Sequence, residues 1–264
     1  DLYAQYKSIQ NEMDAAIKTS IQNTSFIGGN PVREFETAFA GFIGLKHVIG
    51  CGNGTDSIEI LLQAYGIGKG HEVIVPAASW ISTSEAVSAR GATPVFVDVE
   101  EDYFNINPAL IEAAITANTK AIIPVHLYGH PADMPAIMAI AKKYNLIVIE
   151  DCAQSHASAI HEKLAGTFGH AASFSFYPGK NLGAYGDAGC MATSDDAIAE
   201  KVRMIANHGQ KGKHNHIMEG RNSRLDGLQA AILSAKLPYL HQWTNARIAL
   251  AAQYNTSITN AGLG

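Results

Sequence analysis

Hydrophobic positions at the start of the chain recur at helical spacing. The first set predicts one amphipathic helix and consists of Leu2, Tyr6, Ile9, Met13 and Ile17. A second helix is expected to follow, with Asn30 as its N-cap and Pro31 in its first turn. Its apolar stripe consists of Val32, Phe35, Phe39 and Phe42. Both helices are expected to pack against a larger body.

From residue 47 onward, short β-rich runs alternate with helical segments. The predicted strands cover 47–51, 72–75, 94–98, 121–125, 146–150, 173–176 and 189–193. The predicted helices cover 55–65, 79–90, 108–116, 133–144, about 195–207 and about 225–237, and Pro238 is expected to end the last one. This alternation predicts an α/β fold with a largely parallel seven-stranded sheet between helices. Ligands of such sheets bind at the carboxyl ends of the strands.

Composition mainly excludes other classes of protein. Hydrophobic residues make up 47% and charged residues 16% of the 264 residues, which suits a globular protein and argues against disorder. The net charge of -5 offers no basic surface for nucleic acid. No apolar run reaches the roughly 18 residues of a membrane span, and no signal-peptide pattern opens the chain. We therefore expect no membrane partner and a cytoplasmic location.

The length and the two ends of the chain suggest how it is divided. It begins at Asp1 without a methionine, and residues 256–264 trail off after a helical stretch, so a fragment is expected. We predict a large cofactor-binding domain at residues 1–237 and the start of a truncated C-terminal small domain at residues 238–264. The three cysteines are odd in number and lie beside predicted strands, which predicts reduced thiols in the core.

A glycine-rich turn at residues 52–57 follows a predicted strand and opens a helix. Free backbone N–H groups and the positive end of the helix would face a ligand there, which favours an anion. Thr55 stands where a dinucleotide fingerprint has its third glycine, and the Gly-Lys-Ser/Thr of a Walker loop is missing. A monophosphate is therefore the better hypothesis, although a turn without a ligand is an equal alternative on this segment alone.

Two further segments bring charged groups to the same end of the sheet. An apolar strand delivers Asp151, which there needs a cationic partner or hydrogen bonds, and a structural salt bridge or an N-cap is the alternative reading of that segment. Pro178 and Gly179 then turn the chain and present Lys180 among small and apolar residues, where burial would lower its pKa toward that of a usable nucleophile. A phosphate cradle, a strand-end aspartate and a sequestered lysine are what pyridoxal phosphate requires.

At this point the chain resembles a known family. Over its whole length it is similar to the sugar aminotransferases of the DegT/DnrJ/EryC1/StrS family, which have the type I aminotransferase fold, and above all to members that make amino sugars on nucleotide carriers. The matching motifs are Phe26-Ile27-Gly28-Gly29, Gly54-Thr55, Glu150-Asp151-Cys152-Ala153-Gln154, Ser175-Phe176-Tyr177-Pro178-Gly179-Lys180-Asn181-Leu182-Gly183 and Asn222-Ser223-Arg224-Leu225-Asp226. Ser155-His156-Ala157 departs from the more usual Ala-His-Gly but keeps the histidine.

The resemblance implies a role for each matching residue. Lys180 would form the Schiff base and act as general base, Asp151 would pair with the pyridine nitrogen, and Gln154 would lie near the ring hydroxyl. The residues expected to bind the phosphate are Gly54 and Asp56 through their backbone, Thr55 and Ser175. Trp80 would stack on the cofactor, with a plain core position as the alternative. Asn222 would reach the phosphate in the neighbouring subunit, which implies a homodimer with shared active sites.

The implied reaction is pyridoxal-phosphate-dependent transfer of an amino group from an amino acid, expected to be glutamate, to a nucleotide-linked keto-sugar. A sugar dehydratase of the same fold is one alternative, but such enzymes have a histidine where this chain has Lys180. A non-catalytic cofactor-binding relative is another. A nicotinamide-dependent oxidoreductase does not fit the glycine pattern. The sugar, its aminated carbon and the nucleotide are not encoded in these motifs.

Three histidines in one polar loop raise the question of a metal. His208, His214 and His216 lie close together, but no cysteine or carboxylate stands at zinc-ligand spacing. We predict no metal site and a solvated loop near the substrate entrance.

Overall fold

The alternating pattern folds into ten α-helices and nine strands within residues 1–263, the part of the chain that this computed structural model describes. The helices are α1 (Leu2–Ser8), α2 (Gln10–Gln22), α3 (Gly29–Ile43), α4 (Gly54–Ala64), α5 (Ser82–Ala89), α6 (Pro108–Ile111), α7 (Met134–Tyr144), α8 (Asp196–Ile205), α9 (Gly227–Lys236) and α10 (Leu240–Asn260). The strands are β1 (His47–Cys51), β2 (Glu72–Pro76), β3 (Thr93–Val97), β4 (Thr119–Ile122), β5 (Ile147–Asp151), β6 (Ala159–Ile160), β7 (Lys163–Leu164), β8 (Ala171–Ser175) and β9 (Gly189–Thr193).

Seven of the strands form one sheet in the order β1-β9-β8-β5-β4-β2-β3. The pairs β2–β3, β2–β4, β4–β5 and β5–β8 are parallel, while β9 runs antiparallel to both β1 and β8. The predicted α/β class and largely parallel seven-stranded sheet are confirmed. In this sheet Asp151 is the last residue of β5 and pairs with Ser173 of β8, so the carboxylate emerges where these strands end.

The sheet is buried on both faces, as its nearly continuous apolar strands require. One face packs against α4 and α8, and the other packs in part against α3 and α9. An aromatic cluster joins this second face to α3, with Phe39 5.2 Å from Phe174 and 5.4 Å from Phe176 between ring centroids. Phe176 lies four residues before Lys180, so this cluster supports the segment that carries the lysine.

The first two helices differ from the prediction in detail. The expected single opening helix is two, because Ile9 leaves helical geometry with φ -135° and ψ 32° while its side chain stays buried. Asn30 is not the cap of α3. That helix begins at Gly29 with Gly28 as N-cap and no capping side chain, since two successive glycines at positive φ turn the chain into the helix earlier.

Other boundaries were also wrong. α5 begins at Ser82 rather than 79, and the segment predicted as a helix over 108–116 forms one α-turn followed by a 3₁₀ turn over Glu112–Ala114. Pro238 does follow the end of α9, but it lies in a 3₁₀ turn that leads directly into α10. The expected trailing end from residue 256 is helical to Asn260, and Gly264 lies outside the described residues. The domain division at 237/238 stays a prediction.

Two predictions from composition concern the interior and the membrane. Cys51, Cys152 and Cys190 are free and buried, as expected. Within residues 1–263, no helix combines the length and apolar character that crossing a membrane requires.

Candidate active site

The glycine-rich turn forms an open helix end beside β8. Asn53 caps α4, and its side-chain oxygen accepts the N–H of Asp56 at 2.8 Å. The structure thus uses the Asp56 N–H that was predicted to bind phosphate, and the first N–H groups of the helix, those of Gly54 and Thr55, are the ones without an intrahelical acceptor. A Cβ on Gly54 would lie 2.7 Å from Cβ of Ser175. The approach of the helix end to Ser175 therefore depends on glycine.

Hydroxyl groups surround this helix end. The Thr55 hydroxyl lies 2.7 Å from that of Ser82, at the start of α5. The hydroxyls of Ser57 and Ser173 contact each other, and both bond the carbonyl of Gly54, at 2.6 and 3.2 Å. Predicted phosphate ligands from two segments, Gly54 and Thr55 of α4 and Ser175 of β8, thus lie together. The arrangement suits a small anion because it combines backbone donors with hydroxyl donors.

Asp151 is a buried carboxylate held by two donors. One oxygen accepts the Thr83 hydroxyl at 2.9 Å, and the other accepts the N–H of Ala153 at 3.1 Å. Burial raises the pKa of Asp151, and the two hydrogen bonds together with the positive charge of Lys180 act in the opposite direction. Thr83 was missed in the sequence, although a hydroxyl-rich run, Ser79 to Ser84, at the end of a strand was a signal for it.

Lys180 lies half-buried at the tip of the loop after β8. Its N–H bonds the carbonyl of Tyr177 at 2.8 Å, so Pro178 and Gly179 form the predicted turn. Burial lowers the pKa of Lys180, and the charge of Asp151 acts in the opposite direction. The amine and the carboxylate are therefore close enough to influence each other, as a cofactor ring between them would require.

Gln154 is oriented by a strained turn. Its side-chain oxygen accepts the N–H of Tyr128 at 2.7 Å, which leaves the amide NH₂ free to donate. Tyr128 has φ 55°, an uncommon value for a bulky residue. Buried Asn105 fastens this turn from both sides, because it accepts from the N–H of Leu127 at 3.1 Å and donates to the carbonyl of His130 at 3.0 Å.

Beside Asp151 lies a buried cluster that resembles a metal site, made of His126, Glu150 and Cys152. The Glu150 carboxylate accepts four hydrogen bonds, from His126 at 2.9 Å and from the N–H groups of Gly166, Phe168 and Gly169 at 2.6–2.8 Å. The other ring nitrogen of His126 accepts the N–H of Ala132. Hydrogen bonds therefore occupy both Glu150 oxygens and both ring nitrogens of His126, and those to Glu150 fix the 166–169 loop.

The remaining predicted residues are at the surface. Trp80 is 72% exposed, so the alternative of a core position is wrong. Asn222 is exposed, and its backbone forms a bridge with Asn207. Its neighbour Ser223 accepts the N–H of Gly52 at 3.1 Å, which puts the Asn222 segment next to the glycine-rich turn of its own chain. His208, His214 and His216 are exposed, as expected of a solvated loop.

An α/β sheet with an open helix end, a strand-end carboxylate and a half-buried lysine is the arrangement expected of the class of type I aminotransferase folds. The sequence profile of the DegT/DnrJ/EryC1/StrS aminotransferase family matches residues 7–263. The chain belongs to this family.

Individual relatives agree with that membership. The chain is 49% identical to a "Pleiotropic regulatory protein" from Geobacillus stearothermophilus, over 99% of this chain and 70% of the relative. It is 44% identical to the dTDP-3-amino-3,4,6-trideoxy-alpha-D-glucose transaminase of Streptomyces venezuelae, over 100% of this chain and 69% of the relative. The identity is 45% with the UDP-2-acetamido-2-deoxy-3-oxo-D-glucuronate aminotransferase of Pseudomonas aeruginosa, over 100% and 74%.

Solved structures carry the same fold. The crystal structure of S. venezuelae DesV in complex with a ketimine intermediate superposes with a TM-score of 0.95 at 44% identity, over 98% of this chain and 70% of that one. The structure of NtdA from Bacillus subtilis with bound cofactor PMP has a TM-score of 0.90 at 35% identity, over 97% and 59%. The type I aminotransferase fold is therefore confirmed, and the family uses pyridoxal phosphate.

Proposed function

We propose that this chain is a pyridoxal-phosphate-dependent aminotransferase that moves an amino group from an amino acid, expected to be glutamate, to a nucleotide-linked keto-sugar. The observation that carries the proposal is that half-buried Lys180 and buried Asp151 are close enough to shift each other's pKa, in a chain whose Gly54 and Ser175 form the cradle. The names of the Streptomyces and Pseudomonas relatives support the substrate class. A cytoplasmic location remains part of this proposal.

The residues present fit the cofactor. The open end of α4, with Thr55 and Ser175, would hold its phosphate, because the Gly54 backbone can approach where any side chain would collide with Ser175. Asp151 would hold a proton on the ring nitrogen, and the free NH₂ of Gln154 would donate to the ring hydroxyl. When bound, the pyridine ring supplies an electron sink for the bonding electrons released at the amino-acid α-carbon.

Lys180 has two tasks in this arrangement. Its Nζ would attach the cofactor, and once an amino acid had taken its place there, the freed Nζ would accept the proton from the amino-acid α-carbon and act as the acid that returns it. The lowered pKa suits both tasks, because a neutral amine is needed for attack and for proton removal. Trp80, which is exposed between β2 and α5, would stack on the cofactor ring. In a homodimer, Asn222 would bind the phosphate of the cofactor in the second subunit.

The assignment of Lys180 is tested by Lys180→Ala with Lys142→Ala as control, since Lys142 is an exposed lysine on α7. We expect Lys180→Ala to abolish amino transfer from glutamate and to lose the borohydride-stabilised cofactor adduct detected by mass spectrometry, while the control retains both. An active Lys180→Ala protein, or an adduct on another lysine, would remove the assignment.

One alternative function has an observation in its favour. The Geobacillus relative is named as a regulatory protein, so a member that keeps the cofactor without turning it over is the second candidate. One measurement distinguishes the two functions. In a catalytic protein, glutamate converts the bound cofactor to its aminated form, and a nucleotide-linked keto-sugar then converts the cofactor back. A protein that binds pyridoxal phosphate through Lys180 but shows neither change would be the non-catalytic relative.

A further inference from the structure

The C-terminal residue of α9 is a lysine inside the protein. Lys236 is 2% exposed, and its Nζ donates to the carbonyl of Gly183 at 2.7 Å. The same nitrogen lies 4.3 Å from the ring centroid of Tyr185. Among residues 1–263 it has no carboxylate within ion-pair distance. Burial lowers the pKa of Lys236 to about 8, so the amine is mostly protonated at neutral pH.

This placement is unfavourable by itself. Lysine is almost never fully buried unless it is paired, and one carbonyl and one aromatic face replace only part of the lost hydration. The negative end of the α9 dipole helps a cation at this position, but it would help an exposed lysine too. Methionine would fill a similar volume without a buried charge. Stability of the fold therefore does not explain an amine at this position. The hydrogen bond from Lys236 to the Gly183 carbonyl points to a role in the loop that contains Gly183.

Gly183 closes the loop that carries Lys180. The N–H of Ala184 bonds the carbonyl of Phe176 at 2.8 Å, which joins the two ends of the loop. A Cβ on Gly183 would lie 2.3 Å from the carbonyl oxygen of Pro178, so the two backbones are packed directly against each other. Pro178 is two residues before Lys180. A shift of Gly183 would therefore also move Pro178 and the backbone that carries Lys180.

α9 holds the same loop at a second point. The side-chain oxygen of Gln229, two turns before Lys236, accepts the N–H of Tyr185 at 2.8 Å. Together with the bond from Lys236 to Gly183, α9 therefore forms hydrogen bonds to two backbone groups after Lys180, the carbonyl of Gly183 and the N–H of Tyr185. The residue after Lys180 has a separate contact, since the Asn181 side chain donates to the carbonyl of His156 at 3.3 Å.

We propose that Lys236 is a positioning residue for Lys180: its buried ammonium fixes Gly183 and, through Pro178, keeps the Lys180 amine directed toward Asp151. This inference rests on the proposed role of Lys180. It predicts that the charge on Lys236 matters for how the cofactor is held, and not only for whether the protein folds.

The test compares Lys236→Met with the wild type and with Lys142→Met, an exposed lysine on α7. Lys236→Met is expected to keep a thermal midpoint close to that of the wild type, because removing a buried charge favours folding while leaving the Gly183 carbonyl without its donor disfavours it. It should bind pyridoxal phosphate about tenfold more weakly, because cofactor binding must then also order the loop that the Lys236 hydrogen bond held in place. The pH midpoint of the absorption band of the Lys180-bound cofactor should also shift.

The pH midpoint of the absorption band separates a positioning role from general support of the fold. If Lys236 only supported the fold, Lys236→Met would lower the thermal midpoint and leave the absorption band unchanged. Lys236→Gln, with a neutral donor for Gly183, should fall between the wild type and Lys236→Met and serves if Lys236→Met does not fold. Equal affinity and an equal band midpoint in the folded variants would overturn the proposal.

Failure of the underlying function would look different, because the wild type itself would not retain the cofactor. Amide hydrogen exchange without cofactor then still measures the grip of α9 on the loop. Exchange at residues 177–186 should be faster in Lys236→Met than in Lys142→Met, and unchanged exchange would also overturn the proposal.

Discussion

His156 shows how a single buried ring couples the site to stability. It is 1% exposed, it packs against Phe174 and Phe176 with centroids 5.7 and 5.6 Å away, and neither ring nitrogen makes a well-formed hydrogen bond within residues 1–263. Burial lowers the pKa of His156 to about 3, and the positive charge of Lys180 acts in the same direction. The ring is therefore neutral in the folded protein at neutral pH.

The pH dependence of stability follows from that value. Between pH ~6.5, the ordinary value for histidine, and pH 3, the unfolded chain binds a proton at His156 that the folded protein does not. The free energy of unfolding is therefore expected to fall as the pH falls through this window, by at most about 1.4 kcal/mol per pH unit from this one group. Urea denaturation at pH 7 and pH 5 measures the difference.

His156→Phe, which cannot take up a proton, should show a smaller loss between these two pH values than the wild type. His241→Gln is the matched control, because His241 is exposed. If His156→Phe and the wild type lose the same free energy, the imidazole is not the group responsible.

At the scale of elements, the first turn of α4 depends on one missing side chain. A Cβ on Gly54 would lie 2.7 Å from Cβ of Ser175, closer than such atoms approach, so Gly54→Ala must push α4 and β8 apart. We expect Gly54→Ala to weaken binding of pyridoxal phosphate by at least about tenfold, since the free N–H groups and Ser175 would no longer converge. Titration of cofactor absorbance measures this.

Gly41, in the last turn of α3, offers the control. A Cβ there meets nothing within 4 Å, so Gly41→Ala should leave cofactor binding unchanged and raise stability by about 0.5–1 kcal/mol. Equal affinity of the Gly54→Ala and Gly41→Ala proteins would show that the cradle is not at the end of α4.

The elements that could be predicted are those set by local pattern. Apolar runs located all seven strands of the main sheet to within about three residues, and β5 delivers Asp151 as expected because a strand fixes where its last side chain emerges. The start of α3 was missed because Gly28 and Gly29 can adopt positive φ and begin the helix before Asn30. Here backbone freedom outweighed the capping preference of asparagine.

What could not be predicted depends on contacts distant in sequence. The bond between Lys236 and Gly183 spans 53 residues, and that between Thr83 and Asp151 spans 68. Lys236 carries no local signal, since a lysine at a helix end is ordinarily solvated, and the hydroxyl-rich run around Thr83 does not say which carboxylate it will contact. The strained turn at Tyr128 is similar, because its φ is maintained by Asn105 and Gln154 from other elements. Chemistry was visible in the motifs, whereas the supports of the motifs were not.

At the scale of the whole molecule, the Asn222 segment has an exposed apolar neighbour. Ile27 forms a bridge with Asp226, and Phe26 and Ile27 are 48% and 58% exposed. Exposed apolar side chains beside a polar site residue favour contact with another protein surface. A homodimer built on this surface would bring Asn222 to the second active site, although Ser223 also bonds Gly52 of its own chain. The two geometries predict different behaviour in mixed dimers.

Mixing two impaired variants decides between them. Asn222→Ala should weaken cofactor binding by about tenfold through loss of a phosphate hydrogen bond, and Lys180→Ala should be inactive. If Asn222 serves the partner, a mixed dimer has one site with both residues intact. Random reassortment makes half of the dimers mixed, so about one quarter of wild-type activity should return at a cofactor concentration that does not saturate Asn222→Ala. If Asn222 serves its own subunit, no intact site forms and activity stays at the level of the separate variants.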